Sequence, residues 1–336
     1  MQKSKLSACI AQTLGMVLAG AFWLGCGEEA PQPEEPQRTK IAGIVFQEDQ
    51  FFRLIQFGMQ DVADRADIEL LLANSSNKPD KEIQLVNTYI ARQVDAIVIS
   101  PLSAKASATA LKKARDKGIA VITYNSTVED DIATTYIQSD QTDLGAQTGL
   151  AARQYIEDHL NGQAKIATLA FKTLLPEQSN QRSGGFIDQV SQLPGVEIVS
   201  QQDAWLPETA IKKAGDMLTA HPDIDIIWAA NEGGTTGAVL AVKNAGHQGE
   251  VAVFGTDANE QLIGFLLSED NILQAVSTQQ PFDIGSKAVD FAIRALGGEA
   301  VEKMVSVPGI LLSRQEPDKV NAFRDELQKL IGRATP

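Results

Sequence analysis

From Lys40 onward the chain alternates short apolar runs with longer amphipathic ones. Ten of the short runs read as buried strands: KIAGIVF, IELLLAN, DAIVIS, IAVITYN and TTYIQSD, then AKIATLA, VEIVSQ, DIIWAA, VAVFGTD and LQAVSTQ. Continuous apolar runs separated by helices mark parallel sheets covered on both faces. The segments between them carry helical spacing. In FFRLIQFGMQDVADRAD the positions Ile55, Gly58, Val62 and Ala66 share one face, and SATALKKARDKG ends at Gly118 as a helix stop.

Ten strands exceed one small sheet, and an internal echo accounts for the number. RQVDAIVISPLS followed by DKGIAVITYNST resembles HPDIDIIWAANEGG followed by GHQGEVAVFGTDAN. In both halves a strand with a polar end leads through a helix to a second strand ending in Asn or Asp. The pattern predicts an α/β fold of two similar doubly wound parallel-sheet lobes. Ligands bind beyond the carboxyl ends of strands in such sheets, so the residues after each strand are the candidates, and the cleft between lobes is the expected site.

After the first strand comes QEDQFF, Gln47 to Phe52, where a phosphate-binding turn would place glycines. No GxGxxG occurs there and no GxxxxGK[ST] occurs anywhere, which disfavours a nucleotide or dinucleotide enzyme. Two aromatic rings beside the carboxylate of Asp49 suit a neutral polyhydroxylated molecule, with rings on its C–H faces and polar groups on its hydroxyls. Adjacent helix residues diverge by about 100°, so one of Phe51 and Phe52 is expected to face the core. Later strands end in Ser100-Pro101, Asn125-Ser126, Asn231-Glu232 and Thr256-Asp257. Each also fits a helix N-cap, so capping and ligand contact compete at every one of these positions.

Composition narrows the function. The 336 residues carry a formal charge of -14 and no basic run longer than a dipeptide past the spaced lysines of the first five residues, so a nucleic-acid footprint is missing. The only cysteines are Cys9 and Cys26, and the three histidines, His159, His221 and His247, are widely separated, so no metal set, thiol chemistry or cofactor site is indicated. Lys3 and Lys5 precede an apolar segment, Ile10 to Leu24, that reads as a secretory signal over residues 1–25. It ends in WLGC, similar to a lipobox with Cys26 as the lipidated residue, although Trp23 stands where such boxes prefer Leu. GEEAPQPEEPQRT then reads as an extended tether of about 40 Å, completing residues 26–39.

Residues 40 to about 315 resemble the type I periplasmic solute-binding proteins, specifically the ribose-binding-like group that serves ABC sugar importers. The resemblance rests on IAGIVFQEDQFF, IVISPLS, IAVITYNS, NQRSGGF, TAHPDIDIIWAANEGGTTGA, VAVFGTDAN and LQAVSTQQPFDIG, seven motifs in the family's order. It implies one lobe from residues 40–139 with 281–306 and another from 140–280 with 307–336, joined by a three-stranded hinge near Ser139, Gln280 and Ser306. It places ligand contacts at Asp49, Phe51, Phe52, Ser100, Asn125 and Ser126 from the first lobe, and at Arg182, Trp205, Asn231, Asp257 and Gln279 from the second.

The implied protein is a monomeric, membrane-anchored binder of a small sugar or polyol, without cofactor, that hands its ligand to an ABC permease. A sensor role toward a membrane receptor is the alternative, and an enzyme is disfavoured because no nucleophile with a nearby base is visible. A cytosolic repressor of the same fold is disfavoured by the export signal and by the missing helix-turn-helix. One departure bears on the ligand. Ribose and hexose binders usually carry Asp-Arg where this chain has Asn125-Ser126, which leaves the sugar open and admits a carboxylated ligand paired to Arg182.

Overall fold

In the computed structural model, which describes residues 38–129 and 131–333, two six-stranded sheets divide the chain. The expected signal segment, Cys26 and most of the tether lie outside the described residues. The first sheet contains β1 (Lys40–Val45), β2 (Glu69–Asn74), β3 (Ala96–Ile99), β4 (Ala120–Tyr124), β5 (Thr135–Ser139) and β11 (Met304–Val307), in the order β11-β5-β4-β3-β1-β2 and parallel throughout. The second contains β6 (Gln163–Ala170), β7 (Gly195–Asp203), β8 (Ile226–Ala229), β9 (Ala252–Thr256), β10 (Leu273–Thr278) and β12 (Ile310–Ser313), in the order β12-β10-β9-β8-β6-β7. Only β12 runs antiparallel to its neighbour. The two orders superpose strand for strand, and the sequence echo falls on equivalent strands, β3-β4 and β8-β9.

Alternation along each strand feeds a core on each sheet face. In the first sheet Ile41, Val45, Val98 and Ile122 meet α1 (Gln50–Arg65) and α9 (Pro281–Leu296), while Ala42, Ile44, Ile97 and Val121 meet α2 (Pro79–Ala91) and α3 (Ala106–Asp116). In the second, Ile166, Ile226, Trp228 and Phe254 meet α4 (Gln141–His159) and α5 (Pro176–Val190), while Leu169, Ile227 and Val253 meet α6 (Pro207–Ala220), α7 (Glu232–Ala245), α8 (Glu260–Leu267) and α10 (Pro317–Arg333). Gly118 holds φ 81° just past α3, as its helix-stop reading requires. Ala66 departs from the expected face: α1 ends at Arg65, so Ala66 caps the helix and is exposed.

Three segments cross between the sheets. One lies between β5 and α4, a second at Gln279 and Gln280, and the third at Pro308-Gly309. The third falls beyond Ser306 because β11 stays paired with β5 through Val307, opposite Ser139. β11 and β12 are not among the strands read from the sequence, being four residues each and interrupted by a proline and a glycine.

Helix packing repeats in the two lobes. α1 meets α9 through Gly58 and Gly285, and α5 meets α4 through Gly185 and Gly145; in each case a Cβ would overlap a backbone carbonyl of the facing helix. Gly145 touches the carbonyl of Arg182, so this contact sets where α5 carries that side chain. Gly145→Ala is expected to cost about 1–3 kcal/mol by overpacking, read as a lower urea midpoint, whereas Gly215→Ala on α6, where a Cβ meets open space, is expected to be neutral or stabilising by up to about 1 kcal/mol.

Candidate ligand-binding cleft

The carboxyl ends of β1 and β4 face those of β6, β8 and β9 across a cavity. It is lined by Phe46, Gln47, Asp49, Phe51, Phe52 and Asn125 from the first lobe and by Phe171, Leu174, Leu175, Gln178, Arg182, Trp205, Asn231, Glu232, Asp257 and Gln279 on the other side. The lobes touch here: Gln178 Nε2 donates to the backbone oxygen of Asn125 at 2.5 Å and to its Oδ1 at 3.1 Å.

On the first-lobe side Asp49 caps α1, its Oδ1 accepting from Phe52 N–H at 2.9 Å and its Oδ2 from Gln47 Nε2 at 2.6 Å. Phe52 is 4% exposed and packs on Phe46, with centroids 4.5 Å apart. Phe51 is half-buried and stands edge-on to Phe52 at 5.1 Å, which leaves it the freer face for a ligand. Asn125 sits past β4 at φ 61° and Asp257 at the equivalent place past β9 at φ 71°. Asn and Asp are the L-residues that tolerate this left-handed backbone best, and strain of this kind gathers at binding sites.

Asp257 is the hub of the opposite wall. Its Oδ2 accepts from the backbone N–H of Glu232 at 3.1 Å and lies 3.5 Å from Arg182 Nη1, and its Oδ1 accepts from Gln279 Nε2 at 3.0 Å. Arg182, 2% exposed, also donates from Nη1 to the Ala230 carbonyl at 2.8 Å and from Nε to Gln141 Oε1 at 2.6 Å, with its guanidinium 5.3 Å from the Phe171 ring centre. Burial works against its charge and Asp257 sustains it. Removing either partner of such a pair leaves an uncompensated buried charge.

Two more carboxyls shape the field. Burial raises Asp49 above the usual carboxylate range, with Asp257 adding to the effect. Burial, then Asp49 and Asp257, push Glu232 from its ordinary 4.5 up to about 7. No three His, Cys, Asp or Glu side chains among the described residues converge as a metal set. Three carboxylates against one internally paired guanidinium make the cleft unfavourable for an anion, so the carboxylated ligand admitted by the sequence is not favoured.

Two expected contacts fall outside the cavity. Ser100 is fully buried, with Oγ 3.3 Å from Ser126 Oγ and 3.5 Å from Asn125 Nδ2, so it lies beneath the site. Ser126 donates to the Pro101 carbonyl at 2.6 Å and faces a neighbouring groove. Asn231 lines the cavity yet is also a cap, its Oδ1 accepting from Gly234 N–H at 3.1 Å and its Nδ2 donating to the Trp205 carbonyl at 2.9 Å. Glu232, Phe171 and Gln178 are lining residues absent from the expected set. Glu232 and Phe171 stand at strand mouths, and Gln178 precedes Arg182 by one helical turn, so each carried a readable signal. Leu174 and Leu175 carried none.

The family described as Periplasmic binding protein domain matches residues 44–300. The chain is 29% identical over 292 residues to the ABC transporter periplasmic-binding protein YphF of Escherichia coli, covering 84% of this chain and 88% of that one. It is 27% identical over 314 residues to the ribose import binding protein RbsB of Bacillus subtilis, covering 90% and 97%. Its fold matches the crystal structure of an ABC transporter periplasmic solute-binding protein from Actinobacillus succinogenes with bound D-allose, at a TM-score of 0.78 and 24% identity, covering 84% of this chain and all of the other.

The raised Glu232 fixes the sign of a pH effect. Stability from this group is full below its unfolded value of 4.5 and is lost as pH rises through about 7. Glu232→Gln is expected to flatten the fall in melting temperature between pH 5 and 8 and to raise the pH 8 value by roughly 2–4 °C, about 1 kcal/mol. An unchanged slope in calorimetric scans would contradict the assigned burial.

Proposed function

The chain belongs to the periplasmic binding protein family, and we propose that it captures a small sugar or polyol outside the cytoplasm in the cleft between its lobes and delivers it to an ABC importer. The observation that carries the ligand class is the composition of the walls: the aromatic faces of Phe51 and Trp205 stand with Asp49, Asn125, Arg182 and Asp257 around one cavity. Hydroxyl-rich ligands need rings for their C–H faces and fixed acceptors for their donors. Sugar binding in the named relatives agrees with this reading: one serves ribose import and another holds D-allose.

Charged hydrogen bonds net about 1.5–3 kcal/mol each and an aromatic contact about 0.5–1.5 beyond its area. A few of each exceed the roughly 8 kcal/mol of a micromolar complex after association costs of about 4 kcal/mol or more. Because the ligand touches both lobes, it stabilises their closed arrangement, and closure is what the permease reads. Cys26 is the proposed lipid anchor, with the Pro- and Glu-rich segment after it as spacer.

Isothermal titration over pentoses, hexoses and polyols tests the reading. Asp257→Ala and Arg182→Ala are expected to weaken the best ligand about tenfold to 100-fold, on the basis of about 1.5–3 kcal/mol for a charged hydrogen bond, and Phe51→Ala about tenfold. A ligand that all three variants bind normally would place the site elsewhere. Cys26→Ala is expected to move the protein from the membrane fraction to the soluble one, and retention at the membrane would refute the anchor.

A further inference from the structure

We propose that the ligand is a polyol or sugar bearing a protonated amine, seated between Asp49 of the first lobe and Glu232 of the second. This rests on the reading of the cleft as a sugar or polyol site and narrows it.

Asp49, Glu232 and Asp257 line the cavity, and Arg182 is the only cation that does. Arg182 is spent on Asp257, the Ala230 carbonyl and Gln141. Asp49 and Glu232 therefore have no lining counter-ion, and they come from opposite lobes, so each opposes the ionisation of the other across the cleft. Arg53 also acts on Glu232, but it is exposed on α1 and screened by solvent. Enclosing both as carboxylates away from water without a cation is costly, so the doubly ionised cleft needs a cation from the ligand.

Hydrogen bonding points the same way. The amide nitrogens of Gln47, Gln178 and Gln279 all donate to protein oxygens, which commits those N–H groups and leaves their amide oxygens as the acceptors. Gln279 is 3% exposed and lines the cavity, and its Oε1 has no donor. The site asks for donors and positive charge, and an ammonium group supplies three N–H donors with a full charge. A neutral polyol supplies only the donors, and a sugar acid adds to the repulsion.

The groups that face Glu232 are Asp49 and Arg53 on α1, Asp257 past β9 and Asn259 at the start of α8. With two carboxylates among them, Glu232 holds a proton near neutral pH in the free protein. An arriving ammonium stabilises the carboxylate, and the Glu232 proton passes to solvent. Affinity for an amine is then expected to fall between pH 7.5 and pH 5.5.

Matched pairs test this by isothermal titration at pH 7.5: D-glucosamine with D-glucose, D-galactosamine with D-galactose, 1-amino-1-deoxysorbitol with sorbitol, and an aminodeoxyinositol with myo-inositol. In the best-binding pair the amine is expected to bind at least tenfold tighter than its parent. Glu232→Gln and Asp49→Asn, each checked for folding by circular dichroism, are expected to bring the two within about twofold, and Glu232→Gln to remove the loss at low pH. If the parent binds as tightly as the amine in every pair that binds, the amine is overturned and the sugar or polyol reading stands. If no member of any pair binds the folded protein, the sugar or polyol reading fails and the amine fails with it.

Discussion

The buried pairing of Arg182 with Asp257 is the constraint around which the cleft is organised. A guanidinium and a carboxylate this far from water survive only if nearly every donor and acceptor on them is answered. Gln141, the Ala230 carbonyl, Gln279 and the Glu232 N–H provide those answers. They come from α4, the end of β8, the second crossing and the start of α7. Gln141 and Gln279 sit at two of the three crossings between the lobes, so the crossings and the ion pair share residues. The glycine contact of α4 with α5 sets the arginine backbone, and a left-handed residue past β9 turns the aspartate toward it.

The two lobes share a plan and use it unequally. Asn125 and Asp257 occupy equivalent strand ends with the same backbone hand, yet one is neutral and the other charged. The first lobe contributes aromatic surface, one carboxyl and an amide that Gln178 reaches from across the cleft. The second lobe holds the ion pair, a second carboxyl and Trp205. A ligand bridging them meets a ring-bearing wall on one side and a fixed electrostatic wall on the other, the differential contact that lobe closure requires.

Much of this was legible in the sequence for identifiable reasons. Parallel strands buried on both faces are continuous apolar runs, so all ten expected strands are present, and the echo between the halves lies on equivalent strands. The short β11 and β12 were hidden because four residues around Pro308-Gly309 carry too little pattern. Of the residues that line the cavity, the strand-mouth rule pointed to Asp49, Asn125, Asn231 and Asp257, and family resemblance to Arg182, Trp205 and Gln279. Ser100 and Ser126 do not line the cavity, because a polar residue at a strand end does not say whether its hydroxyl turns to the cleft or to a neighbouring backbone. Glu232 lines the cavity without having been expected there for the complementary reason: its raised pKa comes from burial and from Asp49 and Asp257 around it, and that proximity is a property of the fold.

Closure around a ligand held by both lobes changes the distance between them, and that distance can be measured. Cys9 and Cys26 are the only cysteines, so a Cys26→Ala protein without its signal segment accepts spin labels solely at Lys105→Cys and Glu177→Cys, exposed positions on opposite sides of the groove beside the cleft. Pulsed dipolar spectroscopy, with and without the tightest sugar or polyol from titration, is predicted to show a broad distance distribution collapsing to one shorter distance when ligand is saturating. A ligand that binds fully while the distribution stays unchanged would show that the lobes do not close on it.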